Sequence, residues 1–453
     1  MSAPLSSLVC RGCGASPDSS DPYPFRCSNA EVGDVDHVLV RVLAPSGLSF
    51  PRDEPGDPCP FVRYRGLLHS AHRAIAGGIG DEAFVALVRQ LDAKVAEVDG
   101  HGFSTTPFAR DAAVSGALGF SPAGGVWVKD ETDNVAGSHK ARHLMGVLLH
   151  LEVAEMLRTA NPARRPPLAI ASCGNAALAA ATLAAAGKRH LTVFVPVDAD
   201  ARIIDRLNEL GATVVVCARE ADKRGDPTVE RLRAELAAGA LPFTCQGNLN
   251  GLAIEGGETL MYEIVSDLAL QGLSIDHLVV QVGGGALASS CAAALEEAVT
   301  FGALDHLPRV HTVQTTGAHP LERAYSIFKH DLASCATDHD LTEDIQRAAR
   351  HRSRYMWPWE SEPKSVATGI LDDETYDWLA VVRAMTISNG QPVVVDDGLL
   401  IEARELGQRA GYHADATGTA GLAGLAQLLA GGVVSRDERV AVLFTGTERG
   451  ADS

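Results

Sequence analysis

The strongest constraint in this chain is a rhythm of strands and helices. Short β-branched and aliphatic runs alternate with helix-length segments: LAIAS at 168–172 precedes a helix over 175–187, LTVFVP at 191–196 one over 200–210, and TVVVC at 213–217 one over 226–238. A helix over 251–271, HLVVQV at 277–282, a helix over 286–299 and a strand ending at Thr315 continue it. PVVVD at 392–396 and VAVLFT at 440–445, with helices over 397–410 and 417–430 between them, close the chain in the same way. Strands this uniformly apolar must be covered on both faces, so the pattern predicts parallel sheets flanked by helices, an α/β fold. Ligands of such folds bind at the loops that follow the carboxyl ends of strands.

Helical periodicity begins near residue 67, and a strand-like Val126-Trp127-Val128 leads into an apolar helix from about Ser138 to Arg158. Residues 1–65, rich in Pro, Gly and Asp, read as a small irregular module ahead of a core spanning 66–453. With 453 residues, two packed lobes are expected in that core, the smaller at about 130–250 and inserted in the larger. The charged, His-rich stretch 321–362 has weak periodicity and is expected to be a covering segment or a mobile loop.

A net charge of −18 without a basic patch argues against nucleic acid and anionic lipid as partners. No window offers the roughly 18 consecutive apolar residues of a membrane span, and MSAPLSSLVC lacks the basic and apolar regions of a secretory signal. Nine cysteines, an odd number, include Cys217 and Cys291 inside apolar runs, so free thiols are expected rather than disulfides. A cytoplasmic protein fits these features.

Four loops could carry chemistry. Lys129-Asp130-Glu131, continuing through Asn134-Val135-Ala136-Gly137-Ser138-His139-Lys140-Ala141-Arg142, runs from a strand end into a helix, with Ser138 as the expected N-cap. Lys140 then falls in the first helical turn, where the helix dipole opposes an added positive charge and favours the nucleophilic neutral amine. Ser172-Cys173-Gly174-Asn175 follows a strand and opens an Ala-rich helix; Gly174 admits close backbone approach, and the Asn175 amide can pair with a ring hydroxyl or a carboxylate. Gly283-Gly284-Gly285-Ala286-Leu287 exposes backbone N–H groups at a helix start, the form of a phosphate cradle. It is not GxGxxG followed by an acidic residue, which argues against a dinucleotide fold. Thr445, after the last strand, offers a hydroxyl to a heterocyclic nitrogen.

Taken in this order, the four loops resemble those of fold-type II (tryptophan synthase β-like) pyridoxal-5′-phosphate (PLP) enzymes over roughly residues 100–450, nearest the threonine synthase and threonine/serine dehydratase branch. The resemblance implies two parallel-rich lobes with PLP in the cleft between them. It makes Lys140 the catalytic lysine that also holds PLP. Gly283, Gly284, Gly285, Ala286 and Leu287 would bind the phosphate, Thr445 the pyridine nitrogen, and Ser172, Cys173, Gly174 and Asn175 the substrate carboxylate, Asn175 also reaching the ring oxygen. Thr106-Pro107, Asn248, Glu255-Gly256 and Thr417 to Ala420 are further family-like signatures. His139 resembles tryptophan synthase-like sequences, whereas Ala141-Arg142 and the GGGAL loop lean towards the dehydratases.

The resemblance further implies a homodimeric lyase acting on a small amino acid by elimination or replacement at the β or γ carbon. Cysteine/cysteate synthase-like β-replacement, a non-catalytic PLP-fold binding protein and a nucleotide-binding α/β protein stand as alternatives. Cys10, Cys13 and Cys27 are similar to the cysteine-containing extension of many threonine synthases. A fourth ligand would have to be His37 or Cys59, neither at a ribbon-like spacing, so a degenerate zinc ribbon without metal is expected.

Overall fold

A computed structural model describes residues 4–52, 56–218, 226–334 and 340–449. Two strands, β1 (Ser6–Cys10) and β2 (Leu39–Leu43), pair antiparallel in the N-terminal module. The core follows with β3 (Phe108–Asp111), β4 (Gly125–Asp130), β5 (Leu168–Ala171), β6 (Leu191–Pro196), β7 (Thr213–Cys217), β8 (Leu241–Pro242), β9 (His277–Gln281), β10 (Arg309–Thr315), β11 (Pro392–Val395) and β12 (Arg439–Phe444). They form a six-stranded sheet in the order β11-β10-β9-β12-β4-β3 and a four-stranded sheet in the order β7-β6-β5-β8. Every pairing in these two sheets is parallel except β3 with β4. The exception is a short edge strand, FARD, with only Phe108 buried, so its composition carried no strand signal.

The central strands owe their position to unbroken apolar character: all of β9 is buried, and so is β12 beyond Arg439. The Ala-rich helix Asn175–Ala186 buries nine residues and packs against the helices Asp81–Asp99 and Lys140–Met156, an approach that alanine side chains permit. Residues 321–362 depart from the loop alternative. Helices Pro320–Ser334, Leu341–Ala349 and Arg352–Tyr355 cover the core, anchored by buried Leu321, Ala324, Phe328, Ile345 and Ala348. Spacings of three and four hold these anchors on one face, and the charges that obscured the pattern lie on the other. The eight described cysteines are free, with Cys217 and Cys291 buried. Among the described residues no helix is long and apolar enough to cross a membrane.

Beneath the helix Lys140–Met156 lies a dry electrostatic knot. Arg142 donates to both oxygens of Glu131 at 2.8 and 2.9 Å and to both oxygens of Glu263 at 2.7 and 3.1 Å, and Lys129 Nζ stands 2.5 Å from Glu263. Lys129, Glu131, Arg142 and Glu263 are all wholly buried, and two cations balance two anions. Burial pushes the Glu263 carboxyl up, but Arg142 and Lys129 more than reverse that and hold it below its ordinary value. Asn134 and Thr106 complete the Glu131 carboxylate at 2.7 and 2.5 Å. The knot joins the end of β4, the Lys140 helix and the helix Ala253–Gln271. The last two helices touch backbone to backbone: a Cβ on Gly256 would lie 2.1 Å from the Arg142 carbonyl oxygen.

Removing one member of a buried ion network strands the opposing charge. Arg142→Met is therefore expected to cost about 3–5 kcal/mol in urea unfolding. Arg206→Met, which breaks an exposed pair with Glu209, is expected to cost less than about 1 kcal/mol.

Candidate active site

A cleft of about 330 Å³ opens at the carboxyl ends of strands from both sheets. Its walls include Lys140, Ser172, Cys173, Gly174, Asn175, Gly283, Gly284, Gly285, Ala286, Leu287 and Thr445, so members of all four loops lie in one place. A larger hollow of about 550 Å³ beside Phe50 and Leu273 shares none of them; buried polar groups mark the smaller cleft as the chemical one.

Lys140 is the first residue of its helix, but the cap differs from expectation. His139 occupies the N-cap position, while Ser138 is extended (φ −167°, ψ 162°) and bridges to Gly446. The Ser138 hydroxyl is buried without a partner, because the backbone pairing turns it away from the helix end. The His139 backbone N–H donates to the Thr445 carbonyl at 3.2 Å, and the ring Nδ1 lies 3.0 Å from the same oxygen. Nδ1 therefore carries the ring proton, leaving Nε2 as a buried acceptor without a partner. Burial first, and the Lys140 charge second, hold the His139 pKa well below its ordinary value, so the ring stays neutral.

Asn175 begins the helix Asn175–Ala186, and its Oδ1 accepts from Arg449 Nη2 at 3.0 Å. The same Arg449 nitrogen reaches the Ala136 carbonyl at 2.9 Å, tying the lysine loop to the asparagine loop. With its oxygen engaged, the Asn175 amide keeps its N–H donors for a ligand.

At the glycine loop, Gly285 has φ +99°, in the left-handed region, and its position leaves no room for a side chain: a Cβ would lie 2.9 Å from Thr375. The Thr375 hydroxyl donates to the Gly283 carbonyl at 3.0 Å and the Asp377 N–H to that of Gly284 at 3.0 Å, leaving the loop's own amides for anions. An acidic side chain packs against the loop: a Cβ on Gly283 would lie 2.3 Å from Asp372 Oδ2. Burial raises the Asp372 carboxyl to about 6, against the opposing pull of Lys140.

Thr445 Oγ1 accepts from Gln281 Nε2 at 2.7 Å, so the threonine hydroxyl must direct its own proton elsewhere. Gln281 escaped the sequence reading although it carried a signal, as the single amide in the apolar strand HLVVQV just before the glycines. Asp372, Tyr376 and Asp377 also escaped it, because the segment that carries them has neither helical nor strand periodicity. Thr417 lines the cleft and accepts from Gly369 N at 3.0 Å. Gly256, by contrast, serves the helix contact beneath the site.

Comparison with known proteins gives the family. The family model described as "Pyridoxal-phosphate dependent enzyme" matches residues 101–446. The chain belongs to that family. Its relatives include the threonine synthase of Methanocaldococcus jannaschii, 25% identical over 325 residues that cover 71% of this chain and 69% of that protein. The catabolic L-serine/threonine dehydratase of Saccharomyces cerevisiae is 29% identical over 209 residues, 44% of this chain and 55% of that one. Among solved structures, diaminopropionate ammonia lyase from Escherichia coli superposes with a TM-score of 0.58 at 16% identity, over 81% of this chain and 89% of that chain. Maize serine racemase gives 0.57 at 16% identity, over 81% and 94%. These likenesses establish the fold as that of fold-type II PLP enzymes, and pyridoxal phosphate is the cofactor of this family member.

The residues of the cleft fit that cofactor: a glycine loop whose Gly283 and Gly284 carbonyls are engaged elsewhere, a hydroxyl held by Gln281 and an unpartnered imidazole nitrogen. The Asp372 carboxylate, packed against Gly283, opposes a phosphate held by the same loop. Asp372→Asn is therefore expected to bind PLP about tenfold more tightly at neutral pH, a gain of roughly 1.4 kcal/mol. Because the carboxyl ionises through about 6, the ratio of variant to wild-type affinity is expected to grow as pH rises from about 5 to 7. Fluorescence titration with PLP checks both.

Proposed function

We propose that this chain is a PLP-dependent lyase that eliminates the β-substituent of a small hydroxy amino acid, in the manner of threonine/serine ammonia-lyases. The observation that supports this choice over γ-replacement on a phosphorylated substrate is the charge of the cleft. Lys140 is the one lysine or arginine among its described lining residues, while Asp372 contributes a carboxyl to the wall. A substrate phosphate, in addition to that of the cofactor, would find no cation there.

Residues divide the work by position. Gly283 to Leu287 would hold the phosphate with backbone N–H groups, Thr445 would present its hydroxyl to the pyridine nitrogen, and His139 Nε2 would accept from the group bound beside it. Bound PLP supplies an electron sink for the charge left at the substrate Cα. The Ser172 hydroxyl and the Asn175 amide, the latter braced by Arg449, orient the substrate carboxylate. Lys140 Nζ takes the proton from Cα. The same nitrogen then returns that proton to the departing hydroxyl, so a single residue serves both transfers. The reading includes a cytoplasmic homodimer as the working form.

Incubation of PLP-loaded protein with L-serine, L-threonine and O-phosphohomoserine separates the reactions. The expected result is keto acid and ammonia from serine or threonine, with phosphate release from O-phosphohomoserine at least about tenfold slower in kcat/KM. Lys140→Ala is expected to abolish turnover. Phosphate release as the dominant reaction, or no consumption of any of the three, would overturn the proposal.

A further inference from the structure

The N-terminal module carries a cluster with no part in the PLP chemistry. The sulfurs of Cys10, Cys13 and Cys27 and a ring nitrogen of His37 all lie within 4.8 Å of one another. Cys10 Sγ stands 3.6 Å from His37 Nδ1, and Cys13 Sγ stands 3.6 Å from Cys27 Sγ. Zinc–sulfur bonds of about 2.3 Å and zinc–nitrogen bonds of about 2.0–2.1 Å in a tetrahedron require S···N edges of about 3.5 Å and S···S edges of about 3.8 Å. A disulfide would need its sulfurs at about 2.04 Å. The Cys10–His37 and Cys13–Cys27 spacings are those of ligands around one cation.

Local structure prepares each donor. Cys10 ends β1, and Cys10 N–H to Ala15 O at 2.7 Å and Gly14 N–H to Cys10 O at 2.8 Å curl the CxxC turn so that its two sulfurs converge. Asn29 donates its backbone N–H to Cys27 Sγ at 3.4 Å and its side-chain amide to Cys13 Sγ at 3.7 Å, bonds that suit thiolates. His37 Nε2 is 3.0 Å from the Val32 carbonyl, so it carries the ring proton and leaves the Nδ1 lone pair facing the sulfurs. Of the two candidates for a fourth ligand, His37 joins the cluster, because a chain segment of irregular path returns it to the turn. Gly12 makes that return possible: a Cβ there would lie 2.3 Å from the Asp36 carbonyl oxygen.

We propose that Cys10, Cys13, Cys27 and His37 bind one zinc ion, which clamps the N-terminal module to the wall of the cofactor cleft. Three soft sulfurs and an imidazole select zinc over hard cations, and four protein ligands leave no open coordination position, which makes the site structural. The clamp acts through the neighbour of its histidine. Asp36 accepts from Trp378 Nε1 at 3.1 Å, and the adjacent Asp377 N–H holds the Gly284 carbonyl of the phosphate loop.

Elemental analysis of the full-length protein, purified without chelator under reducing conditions, tests the site. The expected result is one zinc per chain, falling at least about tenfold in Cys13→Ser. Exchange of the wild-type metal for Co²⁺ is expected to give the intense ligand-field absorption of tetrahedral, thiolate-bound cobalt, and it decides the matter if the variant does not fold. A wild-type protein that holds neither zinc nor cobalt after reduction and reconstitution would overturn the proposal. So would a folded Cys13→Ser protein with undiminished zinc.

Discussion

The Arg142 guanidinium, gripped by Glu131 and Glu263 in a dry interior, is the interaction on which the active site depends. Each anion belongs to a different element: Glu131 follows β4, and Glu263 lies on the helix Ala253–Gln271, which packs against the helix that begins at Ala286. Arg142 itself sits two residues beyond Lys140. The network therefore sets the Lys140 helix against both the large sheet and the support of the phosphate loop. Full pairing is what makes it tolerable, since any member left alone would be a bare charge in a medium of low dielectric.

A second set of constraints gathers at the last strand. The turn after β12 accepts His139, bridges Ser138 and supplies Arg449 to both Ala136 and Asn175. Sites more than 270 residues apart in sequence, Asn175 and Arg449, are joined by one hydrogen bond. The cleft is thus closed by backbone pairing and short polar contacts between rigid element ends, which suits a site that must hold a planar ring in one orientation.

Much of this was legible in the sequence because it rested on local signals. The runs LTVFVP and TVVVC became β6 and β7 with their boundaries unchanged, and the lysine, asparagine, glycine and threonine loops converge on one cleft. What escaped was of two kinds. β3 and the Asp372–Asp377 segment have no periodicity, since tertiary contact rather than an apolar face fixes them. The charged knot was hidden because Lys129 and Glu131, though part of the lysine motif, show their ion pairing only when Glu263 is brought to them from a distant helix. Arg142 stood out only as a family-like feature, and its structural duty needed the partner helix to be seen. The choice between His37 and Cys59 as a companion of the cysteines likewise depended on a chain path rather than a spacing.

The central claim is that Lys140 anchors the cofactor. Reduction of the PLP-loaded protein with borohydride, followed by proteolysis and peptide mass spectrometry, tests it directly. The account predicts one pyridoxyl group per chain, on Lys140. A pyridoxyl group on another lysine, or a protein that takes up no PLP, would contradict it.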